Sequence, residues 1–280
     1  MRIDAALRSG TEQLLKVSTS ARLDAEILLA YCLGKQHSFV YAWPEKALTP
    51  KQSDNFNAAL LKRSDLYPIA YITGYQEFWS LKLKVTPDVL IPRADTELLV
   101  ETALDKILDT QQPKILELGT GSGAVALALA SERHDCDIIA TDISKKALEV
   151  SEENRQGLKL DNVHFIQSDW FDQVPNQKFD LIISNPPYID PADTHLKTGI
   201  RHEPIGALIS ESNGLQDIKH IVTMAQNYLK DNGWLALEHG HDQGALVSAM
   251  LEQATYQQIS CLQDLSGNDR VNLGLRANPT

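Results

Sequence analysis

Cysteine is scarce in this 280-residue chain: Cys32, Cys136 and Cys261 stand far apart, and none falls in a CxxC spacing. That argues against a disulfide framework and a cysteine-held structural metal, and for a reducing compartment. Long apolar runs are missing too; nothing approaches the ~18 residues expected of a membrane span. The opening residues Met1-Arg2-Ile3-Asp4-Ala5 lack the apolar segment of a signal peptide, and their early acid is wrong for a transit peptide. The expected location is the cytoplasm, with no membrane partner. Basic charge is also in short supply, with a formal net charge of −11. Residues 1–90 hold 11 Lys/Arg against 9 Asp/Glu, whereas residues 91–280 hold 15 against 28, a net −13. So acidic a region, without a Lys/Arg-rich stretch, is a poor match for a phosphate backbone, and no stable nucleic-acid binding is expected. Helical repeats are absent.

What is present is ordinary globular composition, 43% hydrophobic and 22% charged, in a chain long enough for one large domain and a small one. Residues 1–75 read as helices. Leu23, Ile27, Leu28 and Tyr31 share a face before Gly34, and Thr49-Pro50 starts another helix that presents Phe56, Ala59 and Leu60. Pro68–Gly74 and the alternating Phe78–Val85 read as a hairpin-like linker, giving domains at 1–75, 76–90 and 91–280, with Asp95 or Thr96 capping the next helix. Strands at 115–118, 137–141, 163–167, 179–184 and 233–238 then alternate with helices at 124–132, 144–158, 215–229 and 243–254. That alternation implies a mostly parallel, Rossmann-like α/β sheet covered on both faces. The pair 257–265 and 270–275 around Ser266–Asp269 adds one antiparallel strand.

Two stretches carry chemistry. Ser184-Asn185-Pro186-Pro187-Tyr188 ends the apolar run 179–183, and open α/β sheets bind ligands at such strand ends. The prolines remove two backbone donors and stiffen the chain. They leave the Asn185 side-chain oxygen and the Pro186 carbonyl as a rigid pair of acceptors beside the flat Tyr188. That pair suits a planar –NH2 group; the plainer reading is a Pro-Pro turn. The second stretch, Glu117-Leu118-Gly119-Thr120-Gly121-Ser122-Gly123, follows a strand and opens a helix. Gly119, Gly121 and Ala124 also satisfy the dinucleotide spacing GxGxxG/A. Asp142 at the next strand tip suits two ribose hydroxyls, or else caps the helix after Ser144. Asp169-Trp170 at the third tip suits an adenine ring, although Trp170 also reads as core. Glu117 beside the loop favours an ammonium or sulfonium charge over a pyrophosphate, hence S-adenosylmethionine over NAD.

Together these stations resemble the class I S-adenosylmethionine-dependent methyltransferases that act on planar amide or amino nitrogens. With Pro68–Gly74, Glu77–Trp79, Leu90–Arg93, Thr96–Glu101, Arg201–Pro204, Leu237–Gly240 and Gly267–Arg270, essentially the whole chain resembles the peptide chain release factor glutamine methyltransferases. The family often carries Asp where Glu117 stands and an aromatic where His202 stands. The resemblance implies a class I methyltransferase sheet, a small helical substrate-recognition domain and a β-hairpin linker. It implies methylation of the glutamine amide nitrogen (N5) in the Gly-Gly-Gln motif of class 1 release factors, by a monomer that uses S-adenosyl-L-methionine and no metal. The expected cofactor residues are Glu117, Gly119, Thr120, Gly121, Ser122, Gly123, Asp142, Asp169, Trp170 and Asn185. The expected substrate residues are Asn185, Pro186, Pro187 and Tyr188, with Asn185, Pro186 and Tyr188 catalytic. Glu238-His239 at a strand end suits acid–base chemistry or, as preferred, a hydrogen-bonded sheet terminus; Arg93 and Arg201 suit the methionine carboxylate or, as preferred, pairing with acids; the role of Arg270 is open. The rival readings are an adenine-N6 DNA or RNA methyltransferase, which shares the Asn185–Tyr188 pattern, an NAD-dependent oxidoreductase, and a nucleotide-binding adaptor of translation without catalysis.

Overall fold

The computed structural model describes residues 1–197 and 200–277. They form two compact units, Met1–Tyr75 with Thr194–His202, and Gln76–Asp193 with Glu203–Thr280.

The first unit is helical, with helices at Ile3–Leu14, Ala21–Leu33, Ser38–Ala42, Pro50–Ser64 and Ile69–Thr73. Thr49 and Gln52 form a reciprocal capping box at the Pro50 helix, and Gly34 ends the second helix in the left-handed region. Leu7, Leu14, Leu28, Leu29 and Phe56 fill the core. Arg63 pins two helices together through the buried Asp24 at 2.8 Å. The segment 194–202, expected as part of a loop of the catalytic domain, groups with this unit: Arg201 reaches the Asp65 carbonyl at 2.7 Å and His202 lies 5.0 Å from the Tyr67 ring.

The second unit begins with a hairpin, β1 (Tyr75–Phe78) and β2 (Leu81–Lys84), and continues with seven strands: β3 (Lys114–Leu118), β4 (Asp137–Asp142), β5 (Val163–Gln167), β6 (Phe179–Ser184), β7 (Leu229–Glu238), β8 (Gln257–Gln263) and β9 (Asp269–Leu275). Their order is β5-β4-β3-β6-β7-β9-β8. The pairs from β5 to β7 are parallel, and β9 runs antiparallel to both neighbours, as the alternation and the tight final turn predict. The central strands β3, β4 and β6 bury both faces, so they read as largely apolar runs, whereas β5 and β8 stay partly exposed. Ile115, Leu181 and Ile183 pack with the helices Glu97–Lys106 and Ala124–Glu132 on one face. Leu116, Ile182, Leu235 and Leu237 pack with Gln216–Ala225 and Gly244–Gln253 on the other. The chain leaves β3 for β4 on one side and returns to β6 on the other. This reversal opens a crevice at the strand tips.

Local expectations fail in three places. Pro68–Gly74 is not extended: Ile69–Thr73 is a helical turn, because Pro68 pre-sets φ for a helix start and Gly74 closes it at φ +81°. The strand read across 78–85 breaks at Trp79 and Ser80, whose φ of 52° and 58° make the hairpin turn. The hairpin also belongs to the second unit's core, through Phe78 and Leu83 and two hydrogen bonds between Lys84 and Asn154. Finally, Thr96 does not cap its helix with its side chain; the hydroxyl is engaged elsewhere.

Candidate active site

A cavity of about 420 Å³ lies at the strand tips, lined among others by Gly119, Gly121, Asp142, Asp169, Trp170, Asn185 and Pro187. Strand order explains the assembly, since β5, β4, β3 and β6 are neighbours and each delivers the residues that follow it. Among the described residues, four aspartates, Asp88, Asp142, Asp169 and Asp217, line the cavity, and no lysine or arginine does.

At the β4 tip, Asp142 Oδ2 accepts from the Gly121 amide at 2.9 Å and Oδ1 from the Ser144 amide at 2.8 Å. One carboxylate thus ties the glycine loop to the helix start after β4. Both oxygens keep lone pairs for a ligand. Burial pushes the Asp142 pKa up, against these two bonds. Trp170 holds φ at +43° and brings its ring within 3.8 Å of where a Cβ on Gly119 would stand. A bare glycine there leaves the wall open.

Glu117 is placed differently from the expectation. Only 4% exposed, it is absent from the cavity wall and lies under the loop. Its Oε2 accepts from Thr120 Oγ1 at 2.6 Å and from the Ala126 amide at 3.1 Å. Burial raises its pKa to about 7, with Asp142 adding to the shift and the two hydrogen bonds opposing it. Glu117 therefore braces the turn and is not among the residues that line the cavity. Thr120, Ser122 and Gly123 are likewise behind the wall: all three are buried, and none lines the cavity. The sequence pattern could not separate residues that shape the loop from residues that line it.

At the β6 tip, Asn185 lines the cavity, and its Nδ2 donates to Thr96 Oγ1 at 3.2 Å. The amide nitrogen is thereby anchored, which leaves Oδ1 as the free acceptor. Pro187 also lines the cavity, whereas Pro186 and Tyr188 do not; the Pro186 carbonyl receives no hydrogen bond from any other described residue. Tyr188 is fixed at both ends. Its carbonyl accepts from Gln243 Nε2 at 3.0 Å, and its hydroxyl donates to Glu238 Oε1 at 3.4 Å. Gly214, at φ +77°, leaves room for that carbonyl, since a Cβ would stand 2.0 Å from the Tyr188 oxygen.

Residues 109–273 match the family described as Methyltransferase domain, and residues 5–74 the one described as PrmC N-terminal domain. The chain is 46% identical over 273 residues to the release factor glutamine methyltransferase of Shewanella oneidensis, which is 97% of this chain and 95% of that one. It is 47% identical over 269 residues to that of Escherichia coli, covering 96% of each. The chain belongs to the release factor glutamine methyltransferases. Among solved structures, the ribosomal protein L11 methylase of Lactobacillus delbrueckii subsp. bulgaricus shares the fold, with a TM-score of 0.52 and 17% identity over 70% of this chain and 86% of that one.

Several residues that shape this family member's cavity escaped the sequence reading. Asp88, Val89 and Leu90 form one wall and Pro204, Gly206 and Ala207 another. Glu203 joins the segments behind them: it accepts from the buried Ile91 amide at 3.1 Å and pairs with Arg93. Arg93, which read as structural, is so used. The available signal was one of several acids in the loop after β6, with Asp190 and Asp193, and nothing in its spacing names a partner over a hundred positions away. Among the described residues no His/Cys/Asp/Glu group is arranged to hold a metal ion, and no helix is long and apolar enough to cross a membrane.

Proposed function

We propose that this chain transfers a methyl group from S-adenosylmethionine to the side-chain amide nitrogen of a glutamine in class 1 translation release factors, the glutamine of the Gly-Gly-Gln motif. Family membership supports the substrate class. The observation that carries the chemistry is the acceptor pair at the β6 tip: Asn185 Oδ1, left over because Nδ2 donates to Thr96, and the Pro186 carbonyl, which accepts from no other described residue.

The cofactor fits the donor set. A wall whose described residues include four carboxylates and no cation suits a ligand with ammonium and sulfonium charges and repels a pyrophosphate. Asp142 would take ribose hydroxyls, Asp169 and Trp170 the adenine, and Gly119 and Gly121 admit the ligand close to the backbone. When bound, the cofactor supplies a methyl group activated by its positive sulfur.

The protein's own part is positioning. An amide nitrogen is a weak nucleophile because its lone pair is delocalised. Asn185 Oδ1 and the Pro186 carbonyl accept the two amide hydrogens and turn the nitrogen toward the cavity; Tyr188 packs on the amide plane. Holding reactants in register supplies much of the rate in such reactions. No strong base is required at the moment of transfer, because the nitrogen sheds its proton once alkylated.

The Met1–Tyr75 unit, nearly neutral beside its acidic companion, serves to recognise the protein substrate. A chain beginning at Gln76 should show a raised KM for full-length release factor; unchanged efficiency would remove that role. The enzyme acts as a cytoplasmic monomer without stable duplex binding, which sedimentation and a salt-dependent binding assay check. The deciding experiment is incubation with labelled S-adenosylmethionine and release factor, with the modified residue mapped by mass spectrometry. Label on any residue other than the glutamine amide would overturn the proposal.

A further inference from the structure

The last residue of β7 is a glutamate with 1% of its surface exposed. Register places it beside the site: Ser184 of β6 pairs with Leu237, so Glu238 stands level with Asn185. Its Oε1 accepts from the Tyr188 hydroxyl at 3.4 Å, and its Oε2 has no hydrogen-bond partner. Leaving a buried carboxyl oxygen without a partner is unfavourable. Among the described residues, the arginines Arg270 and Arg93 are paired with other acids. Arg270 of β9 is shared between Asp264 at 3.0 Å and Asp95 at 3.2 Å. Asp95, from the turn before the Glu97 helix, adds repulsion. Arg93 is paired with Glu203. The Thr96 hydroxyl, which accepts from Asn185 Nδ2, makes no hydrogen bond to Glu238 as it stands, although its influence lowers the Glu238 pKa. One carboxyl thus borders both ends of the Asn185–Tyr188 segment.

We infer that Glu238 is a positioning residue for methyl transfer: its carboxylate orients the Thr96 hydroxyl and the Tyr188 hydroxyl, and through Thr96 it keeps the Asn185 amide with oxygen facing the cavity. The inference rests on the transfer reaction proposed above. The direction of the chain follows from donor chemistry. Ionised, Glu238 only accepts. The Thr96 proton then points at it, and the Thr96 lone pairs point at Asn185 Nδ2. Protonated, Glu238 can donate to Thr96 and compete with Asn185 for those lone pairs, so the amide is free to turn. Burial, with Asp95, holds the Glu238 pKa up at about 7, against Thr96, Arg270 and Tyr188. The switch between the two states therefore falls near neutrality.

Glu238→Gln, of nearly the same shape, is the test, read as kcat and cofactor Kd across pH 5.5–9 (roughly 1.5–2 units either side of the switch). Wild-type kcat should fall as pH drops through about 7. The variant should lose about tenfold in kcat at high pH, lose the acid limb, and keep its cofactor Kd. Thr96→Val should reproduce the loss with Glu238 intact, and Thr96→Ser should restore it; these two decide the matter if the Gln variant fails to fold. A second arm needs no substrate. The Asn185 side-chain amide NMR signal, assigned by its loss in Asn185→Ala, should titrate near pH 7 in wild type and stay flat in Glu238→Gln. Unchanged kcat and pH profile in the variant, a kcat loss matched by an equal loss of cofactor affinity, or an Asn185 signal flat in wild type would each overturn the inference. Absence of methylation by the wild type would count against the proposed reaction alone, since the NMR arm judges Glu238 without it.

Discussion

Glu117 and Glu238 invite comparison. Both sit at the carboxyl end of a central strand, both are buried, and burial raises the pKa of each to about 7. Their surroundings differ. Glu117 has one oxygen held by Thr120 and the Ala126 amide, and it fixes a loop. Glu238 has one long bond to Tyr188 and an oxygen with no partner, beside the residues proposed to hold the substrate. A raised pKa therefore does not by itself distinguish a brace from a working group; the hydrogen-bond inventory does.

The comparison can be broken first through pH. A folded-state pKa raised from 4.5 to about 7 means the acid binds its proton more tightly when folded. The resulting stability is full below about pH 4.5 and lost as pH rises to about 7, worth roughly 3 kcal/mol for Glu117. Denaturant titrations from pH 4 to 8 should show that decline in wild type, reduced by that amount in Glu117→Gln, since the amide oxygen can still accept from Thr120 and Ala126. An unaltered slope would show that Glu117 does not carry it. The next largest effects separate the two ends of the cavity. Asn185→Ala, at the Glu238 end, should lower kcat on the order of 100-fold with cofactor affinity kept, by loss of positioning. Asp142→Ala, at the Glu117 end, should weaken cofactor binding about tenfold or more, as expected for charge-assisted hydrogen bonds, with kcat at saturation little changed. The opposite pattern in calorimetry and kinetics would exchange their roles. The smallest effect sharpens the contrast directly. Thr120→Val strips Glu117 of its 2.6 Å donor and makes it resemble Glu238. It should destabilise by about 1 kcal/mol and move the midpoint of the stability decline above 7; an unmoved midpoint would mean that Thr120 does not tune the acid.

What could be read in advance follows from periodicity and turn chemistry. The apolar runs at 115–118 and 179–183 and the intervening helical patterns predict a parallel sheet, since strands buried on both faces must be apolar throughout. Gly119 and Gly121 mark a loop at a strand tip, and Asn185-Pro186 a stiff one. Elsewhere local propensity was overruled. Leu229, read as the end of a helix, is the first residue of β7, drawn into the ladder beside Phe179. Thr96 has the residue type of a helix cap, yet its hydroxyl serves Asn185, 89 positions away.

The sequence alone determined the fold class and pointed to the strand tips as the place for a ligand, with Asn185–Tyr188 as the stretch from which the acceptor pair is proposed. These depend on a residue's neighbours in the chain, through the period of burial and the backbone restrictions of glycine and proline. Only the tertiary structure decided that Glu117 turns under the loop while Asp142 faces the cavity, that Glu203 joins two walls, and that Thr96 and Glu238 stand behind the Asn185 amide. Those facts depend on strand order and register, which bring together side chains far apart in the chain and decide which lone pairs are already taken.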